Sequence, residues 1–475
     1  MKRCIKTITF LLSLCLLLGV FAACKKDNGE NTGTDTGDQS GAETDYLDIY
    51  DNTLYDNDTY SVMTIEGQYE NLNVNGSVVD KALFTRDEKM QDYFDIVIQY
   101  DYFGLESSEA ISAITLAMDG GYIHHAFITT AQNLVRLAME GRTENLKNVE
   151  NLNLENPWWC QALNENCEYQ GAQFVAAGPF SELFYHAALC LAYNNDIVAR
   201  YEMPDIIDMV DDGSWTLEEM YKLCTDYGVV ADNGDGVMDA NDQYAVAVYT
   251  STIYGVYASC GQNFSTFDEA GDITVDLATD ASIHVLEELV KLYNPDLCLM
   301  SKAQIDASNL FTAGRSLFLY NTSGYMIDHL PSSPIDYNII PCPKFTEEQE
   351  YVTCAWPNSN YCVAIQGGLS ENDRGFSGLM LEAYCHLSEI YVKPAKFGTI
   401  VSYQLAQNAD TNRMLDLIFD TLYFDMNLIF DFGGTRTIIN DRLAASNLGR
   451  FTTLIERAAG SVENDIQNLI SKSDS

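Results

Sequence analysis

Apolar runs of strand length alternate with helix-period segments through most of this chain, and that alternation restricts its fold more than any other feature. SVMTIE (61–66), DIVIQY (95–100), HHAFIT (124–129) and GAQFVAAG (171–178) read as strands. A charged stretch with Arg86, Asp87 and Lys89, then SSEAISAITLAM (107–118) and AQNLVRLAMEG (131–141), supply helical period between them. Strands separated by helices pair in parallel, because a crossover of that length is not a hairpin. The expected class is therefore α/β. Further on, Thr216 and Glu219 have capping-box spacing, so a helix should start there, with Trp215 stapling its entry. Residues 278–293 and 305–313 are helical by period, and SLFLYN (316–321) and DYNIIPCPK (336–344) are strand-like. The last hundred residues are mostly helical, with amphipathic runs at 409–420 and 441–470. With 47% hydrophobic residues, a body of about 430 residues has core enough for two lobes.

The amino-terminal end has a different character. Lys2, Arg3 and Lys6 precede an apolar run from Ile8 to Ala23, shorter than a comfortable membrane span. This is the pattern of an export signal, residues 1–23. It ends Phe21-Ala22-Ala23-Cys24, small residues before a cysteine, which resembles a bacterial lipobox with Phe21 in place of the usual Leu. Cys24 is the expected lipidation site. Residues 25–43 carry no large apolar side chain and cannot build a core. As a flexible coil they reach about 25 Å, a tether from lipid to body.

The net charge is −43, from 26 Lys+Arg against 69 Asp+Glu. Loss of residues 1–23 removes three cations and no acid, taking it to −46. Such a surface repels nucleic acid and anionic headgroups. It suits solubility at a crowded surface, or a cationic ligand. Ten cysteines follow Cys24, several inside apolar runs, and no CxxC occurs. Buried free thiols are expected, with Cys160–Cys167 as the alternative oxidised pair.

ADNGDGVMDAND (231–242) resembles an EF-hand calcium loop. Asn233, Asp235, Asp239 and Asp242 fall at positions three, five, nine and twelve, and Gly236 at six; Ala231 stands where Asp is usual. The alternative is an acidic turn leading into a strand. Otherwise no cofactor is indicated. No G-x-S-x-G, Walker loop or H-E-x-x-H occurs. His124 and His125 would point to opposite faces of a strand, a poor joint metal site.

The segment order resembles the extracellular solute-binding proteins of carbohydrate ABC importers, the group that includes maltose-binding protein, and within it lipoproteins of gut-type Firmicutes. The carrying pieces are NPWWCQAL (156–163), LAYNNDIVARYEMPD (191–205), GSWTLEEMYKLC (213–224), DNGDGVMDANDQYAV (232–246), LFTAGRSLFLYNTSGY (310–325), DYNIIPCPK (336–344) and TNRMLDLIFDTLYFD (411–425). The resemblance implies a type II periplasmic-binding-protein-like fold. Two lobes, 44–178 with 323–390 and 179–322 with 391–475, would enclose ligand in a cleft and close by a hinge at crossing strands.

It further implies a monomeric, non-catalytic receptor on the outer face of the cell membrane. That receptor would capture a mono- or oligosaccharide and deliver it to ABC permease subunits. A sugar site needs aromatic faces and planar polar groups. Tyr254 and Tyr257 lie where relatives place a binding tyrosine. Tyr325 follows the expected crossing SLFLYNTSGY, and Tyr185 and His186 follow the other crossing. Trp356 sits in the loop signal CAWPNSN. Trp158, Trp159 and Trp215 read as structural. The alternatives are a surface-tethered carbohydrate-degrading enzyme, with an acidic pair in a cleft, and a binder of cationic or peptide solutes.

Overall fold

The computed structural model describes residues 46–50, 54–67, 69, 72, 75–269, 271–396, 398 and 409–473. The signal, Cys24 and the tether lie outside the described residues. The chain divides between Tyr46 and Leu47 into two units, and every described strand belongs to the second. In chain order these strands are β1 (Asp58–Thr64), β2 (Ile96–Tyr102), β3 (Ala126–Thr130), β4 (Leu189–Asn194), β5 (Tyr244–Tyr249), β6 (Thr266–Phe267), β7 (Ile273–Thr274), β8 (Cys298–Ser301), β9 (Ser316–Thr322), β10 (Tyr337–Ile340), β11 (Thr353–Cys354), β12 (Tyr361–Ala364) and β13 (Leu422–Tyr423).

Sheet one has the order β12-β3-β1-β2, with β1, β2 and β3 parallel and β12 antiparallel to β3. Alternation along β1 sends Tyr60 and Val62 to one face and Met63 to the other, where each joins a separate apolar cluster. The first face is covered by the helix Val78–Phe94. Ser77 and Asp80 form its capping box, and Leu83, Met90 and Phe94 are buried at helical spacing. Arg86 falls on that same apolar face, fully buried. It pairs with Asp87 at 2.7 Å and lies 3.7 Å from the Tyr384 ring centroid. It also donates to Tyr100 Oη at 2.9 Å and to the Phe180 carbonyl at 3.2 Å. One cation thus ties this helix, β2, the helix Glu371–Leu387 and the segment leaving the sheet.

Trp158 and Trp159 are structural, as their positions suggested: both indoles donate to the buried Glu382 at 3.0 Å. Trp215 donates to the Pro341 carbonyl at 3.1 Å, and Thr216 caps the helix Leu217–Thr225.

Sheet two has the order β10-β4-β9-β5-β8. β5, β8 and β9 are parallel, and β4 runs antiparallel to both β9 and β10. This corrects one expectation. SLFLYNT is a fully buried strand of sheet two, not a crossing. The chain stays in this sheet through β10, where Ile340 pairs with Leu191 and Asn338 Nδ2 donates to Tyr193 Oη at 2.8 Å. The return to sheet one therefore comes after residue 340, later than the 323 expected.

Three chain passes form the waist between the sheets. Ala188 bridges Ala355, Trp356 N–H donates to the Ala187 carbonyl at 2.8 Å, and β11 pairs in parallel with β13. The carboxyl-terminal helices serve both sides. Leu415 and Ile418 pack with Ile339 of sheet two, while Ile429, Ile466 and Leu469 pack with Leu134 against sheet one.

All ten described cysteines are free, nine of them buried and Cys160 half-buried. Cys160 is not bonded to Cys167, and burial pushes its thiol up to about 11. At neutral pH a thiol reagent should therefore modify at most one of these ten quickly in the native protein, and all ten after denaturation. Several fast native thiols, or fewer than ten in the unfolded chain, would contradict this. Among the described residues no helix is long and apolar enough to cross a membrane.

Candidate functional site between the two sheets

Topology locates the site. The first crossing leaves sheet one beside the Ala176–Val363 bridge, at the carboxyl edge, and enters β4 opposite Thr322, the last residue of β9. The second leaves β10 at Ile340 and enters β12 at Tyr361, opposite Thr130, the last residue of β3. Both crossings thus join the carboxyl edges of the parallel strands of the two sheets. In open α/β sheets that edge is where ligands bind, since strand ends leave loop side chains and backbone groups free there.

Aromatic side chains sit on this edge. Tyr249, the last residue of β5, and Trp356, on the returning crossing, are both half-buried. Their ring centroids are 6.0 Å apart at 84°. Trp356 is held by its backbone: its N–H donates to Ala187, and its carbonyl accepts from Ser359 and Asn360. A half-covered ring held by main-chain bonds can offer its remaining surface to the apolar face of a ligand.

Tyr325 and His186 come close together where the helix after β9 meets the turn before β4. Tyr325 lies in the first turn of the helix Ser323–His329 that follows β9, stacks on His329 at 3.9 Å, and has an enclosed hydroxyl with no partner among the described residues. His186 packs against Gly324, where an added Cβ would lie 2.4 Å from the imidazole Cγ. Its Nε2 is enclosed and has no partner among the described residues, and Nδ1 is 3.9 Å from Asp328. The side chain of Tyr185 lies outside the described residues.

Burial, with help from Lys396, pushes His186 down from its ordinary 6.5 to about 3. The folded protein then holds it neutral while the unfolded chain takes a proton below about pH 6.5. Its contribution to stability is complete above that pH and is lost as pH falls. Relative to wild type, His186→Gln should gain thermal stability between pH 7 and pH 5. An equal gap at the two pH values in thermal unfolding would refute this.

Tyr254 and Tyr257 do not face this space. Both are buried in the core behind sheet two, at 3% and 1% exposure. Tyr254 meets Phe264 edge-on at 5.9 Å, beneath Arg436. The Tyr257 hydroxyl is bonded to Ser282 Oγ at 2.8 Å. The residue that sequence reasoning missed is Tyr249, whose signal was its place as the last apolar residue of YAVAVY before the polar TST. Across the space, Tyr361 begins β12, its hydroxyl pushed up by burial and then by the charge of Glu106.

The acidic loop is built as a turn on its own backbone amides. Asp242 accepts from the amides of Asn233 and Asp239, Asp232 from those of Gly234, Asp235 and Gly236, and Asp235 from that of Val237. Their oxygens are committed to backbone donors. So placed, Asn233, Asp235, Asp239 and Asp242 form the acidic turn that leads into β5, the alternative reading of the loop. Among the described residues no group of three or more His, Cys, Asp or Glu is disposed to hold a metal.

Burial raises the carboxyls of Asp87, Glu382 and Asp425. Each spends its oxygens locally. Asp87 pairs with Arg86. Glu382 accepts from both Trp indoles, Asn156 Nδ2 and the Asn153 amide. Asp425 accepts from Tyr423 Oη, Leu428 N–H, and the amide and hydroxyl of Ser265.

No protein-family model matches the chain, and no curated protein matches it in sequence. Solved structures do match. UgpB from Mycobacterium tuberculosis, in complex with glycerophosphocholine, aligns over 81% of this chain and 95% of its own, at 16% identity and TM-score 0.57. The maltose-binding periplasmic protein MalE of Listeria monocytogenes, in complex with maltose, aligns over 87% and 98% at 13% identity and TM-score 0.57. The maltose/maltodextrin-binding domain MalE of Bdellovibrio bacteriovorus, bound to maltotriose, aligns over 86% and 100% at 15% identity and TM-score 0.54. With two sheets whose carboxyl edges are joined by two crossings, the chain has the two-lobed periplasmic-binding-protein fold.

Proposed function

We propose that this chain is an exported solute-binding lipoprotein. It captures a small solute, a mono- or oligosaccharide, between its lobes and hands it to the permease of an ABC importer. The observation that carries this is the half-buried aromatic pair Tyr249 and Trp356 at the carboxyl edge where the chain crosses between sheets. Such faces suit the apolar side of a sugar ring. Structures of the same fold that carry maltose and maltotriose support a sugar as the solute.

On this reading lobe one is built on sheet one and lobe two on sheet two, with Trp356 at the hinge and Tyr325 and His186 on the cleft wall. The protein acts as a monomer without catalysis. The commitment of Asp87, Glu382 and Asp425 to structural donors favours this over the glycosidase alternative, which needs a carboxyl pair free in the site. A lipid at Cys24 and the tether keep the receptor near its permease at high local concentration. Cys24→Ala should accordingly move the protein from the membrane fraction to the medium. Its retention at the membrane would sink the anchor.

A thermal-shift panel of mono- and oligosaccharides, with product analysis, tests the function. Stabilisation by at least one sugar without turnover is expected. Turnover of a panel sugar would establish the enzyme instead. Stabilisation only by polyamines or peptides would replace the sugar with a cationic or peptide solute.

A further inference from the structure

A cavity of about 340 Å³ lies at the opposite edge of sheet one. It is walled by Asp58 at the start of β1, His125 just before β3, Asp373 and Phe376 in the first turns of the helix Glu371–Leu387, and Tyr55. None of these belongs to the waist or to the carboxyl edges.

The decisive group is His125, which is only 8% exposed. Its Nδ1 accepts the Ser61 amide at 3.0 Å, so the neutral ring carries its proton on Nε2. The ring is fixed between Tyr60, stacked at 5.7 Å, and the edge of Phe376 at 5.0 Å. Among the described residues Nε2–H has no partner, and the ring lines the cavity. This N–H opens into the cavity, where a ligand oxygen can accept from it.

The charge around it is negative. The Asp58 carboxylate makes no hydrogen bond among the described residues, and Asp373 commits only Oδ2, to Ser370 Oγ at 2.6 Å. The helix amino end offsets about half a charge of the two. Arg374, the nearest cation in sequence, turns to Glu144 at 3.8 Å. Tyr55 and Phe376, in edge contact at 4.9 Å, supply π faces.

We propose that this cavity binds a small organic ammonium carrying an oxygen acceptor within a few atoms of its nitrogen. The ammonium sits between Asp58 and Asp373 against the aromatic wall, and the oxygen accepts from His125 Nε2–H. The site is separate from the one between the lobes.

Ethanolamine is the probe and ethylene glycol, of like size but uncharged, its control. Imidazole nitrogen resonances of the ¹⁵N-labelled mature chain report directly on His125, assigned through His125→Gln. A saturable shift of His125 Nε2 with ethanolamine, absent with ethylene glycol and weakened at least tenfold in Asp58→Asn, is expected. Asp58 is exposed, so this variant tests charge without threatening the fold. An unmoved His125 signal, an equal response to ethylene glycol, or unchanged affinity in Asp58→Asn would each overturn the proposal.

Discussion

Arg86→Met should destabilise the protein by about 3–5 kcal/mol, read as a loss of denaturation midpoint at constant slope. The methionine fills much the same volume, so the loss is not mainly a cavity. It comes from stranding Asp87, which burial already pushes toward its neutral form, in a site with no other cation beside it among the described residues. Tyr100 Oη would still donate to Asp87 at 2.7 Å, but the Phe180 carbonyl would lose the guanidinium. Adding Asp87→Asn should restore part of the stability by removing the uncompensated charge. A cost below about 1 kcal/mol for the single variant would mean that the pair is not buried as described.

Trp356→Ala should weaken sugar binding by about ten- to a hundredfold, and Tyr249→Ala by a comparable factor, in isothermal titration. Both rings are half-buried, so stability should change far less than affinity. Tyr257→Phe should do the reverse. It breaks the bond to Ser282 and costs about 0.5–1.5 kcal/mol of stability, with affinity unchanged. If Tyr257→Phe lowered affinity and Trp356→Ala did not, the site would have to move into the core behind sheet two.

The fold was legible where local period decides it. The strand at 61–66, the helix capped by Thr216 and the amphipathic carboxyl-terminal runs each follow from side-chain spacing alone. The return crossing was not legible, because DYNII reads as a strand beside either sheet. Its partner, Leu191–Asn194, lies more than 140 residues away. Arg86 illustrates the same limit. A stretch as charged as TRDEKMQD reads as a solvated helix, yet the spacing from Leu83 to Met90 puts Arg86 on the apolar face. In the acidic loop, carboxylates at alternate positions suit a cation and suit backbone amides equally, and the amides hold them. Among the tyrosines of YTSTIYGVY, composition gives no preference. Tyr254 and Tyr257 point inward once the turn after β5 winds into the helix Gly255–Ser259, which leaves Tyr249 at the strand end.

Capture between the lobes should be visible in tryptophan fluorescence. Of the four tryptophans, Trp158, Trp159 and Trp215 donate their indole N–H to partners in the scaffold, and Trp356 stands on the returning crossing itself. Titration with the stabilising sugar should give a saturable, one-to-one change in emission that disappears in Trp356→Phe, with no product formed. A change that persists undiminished in Trp356→Phe, or sugar binding that leaves the emission of the wild type untouched, would contradict capture at this site.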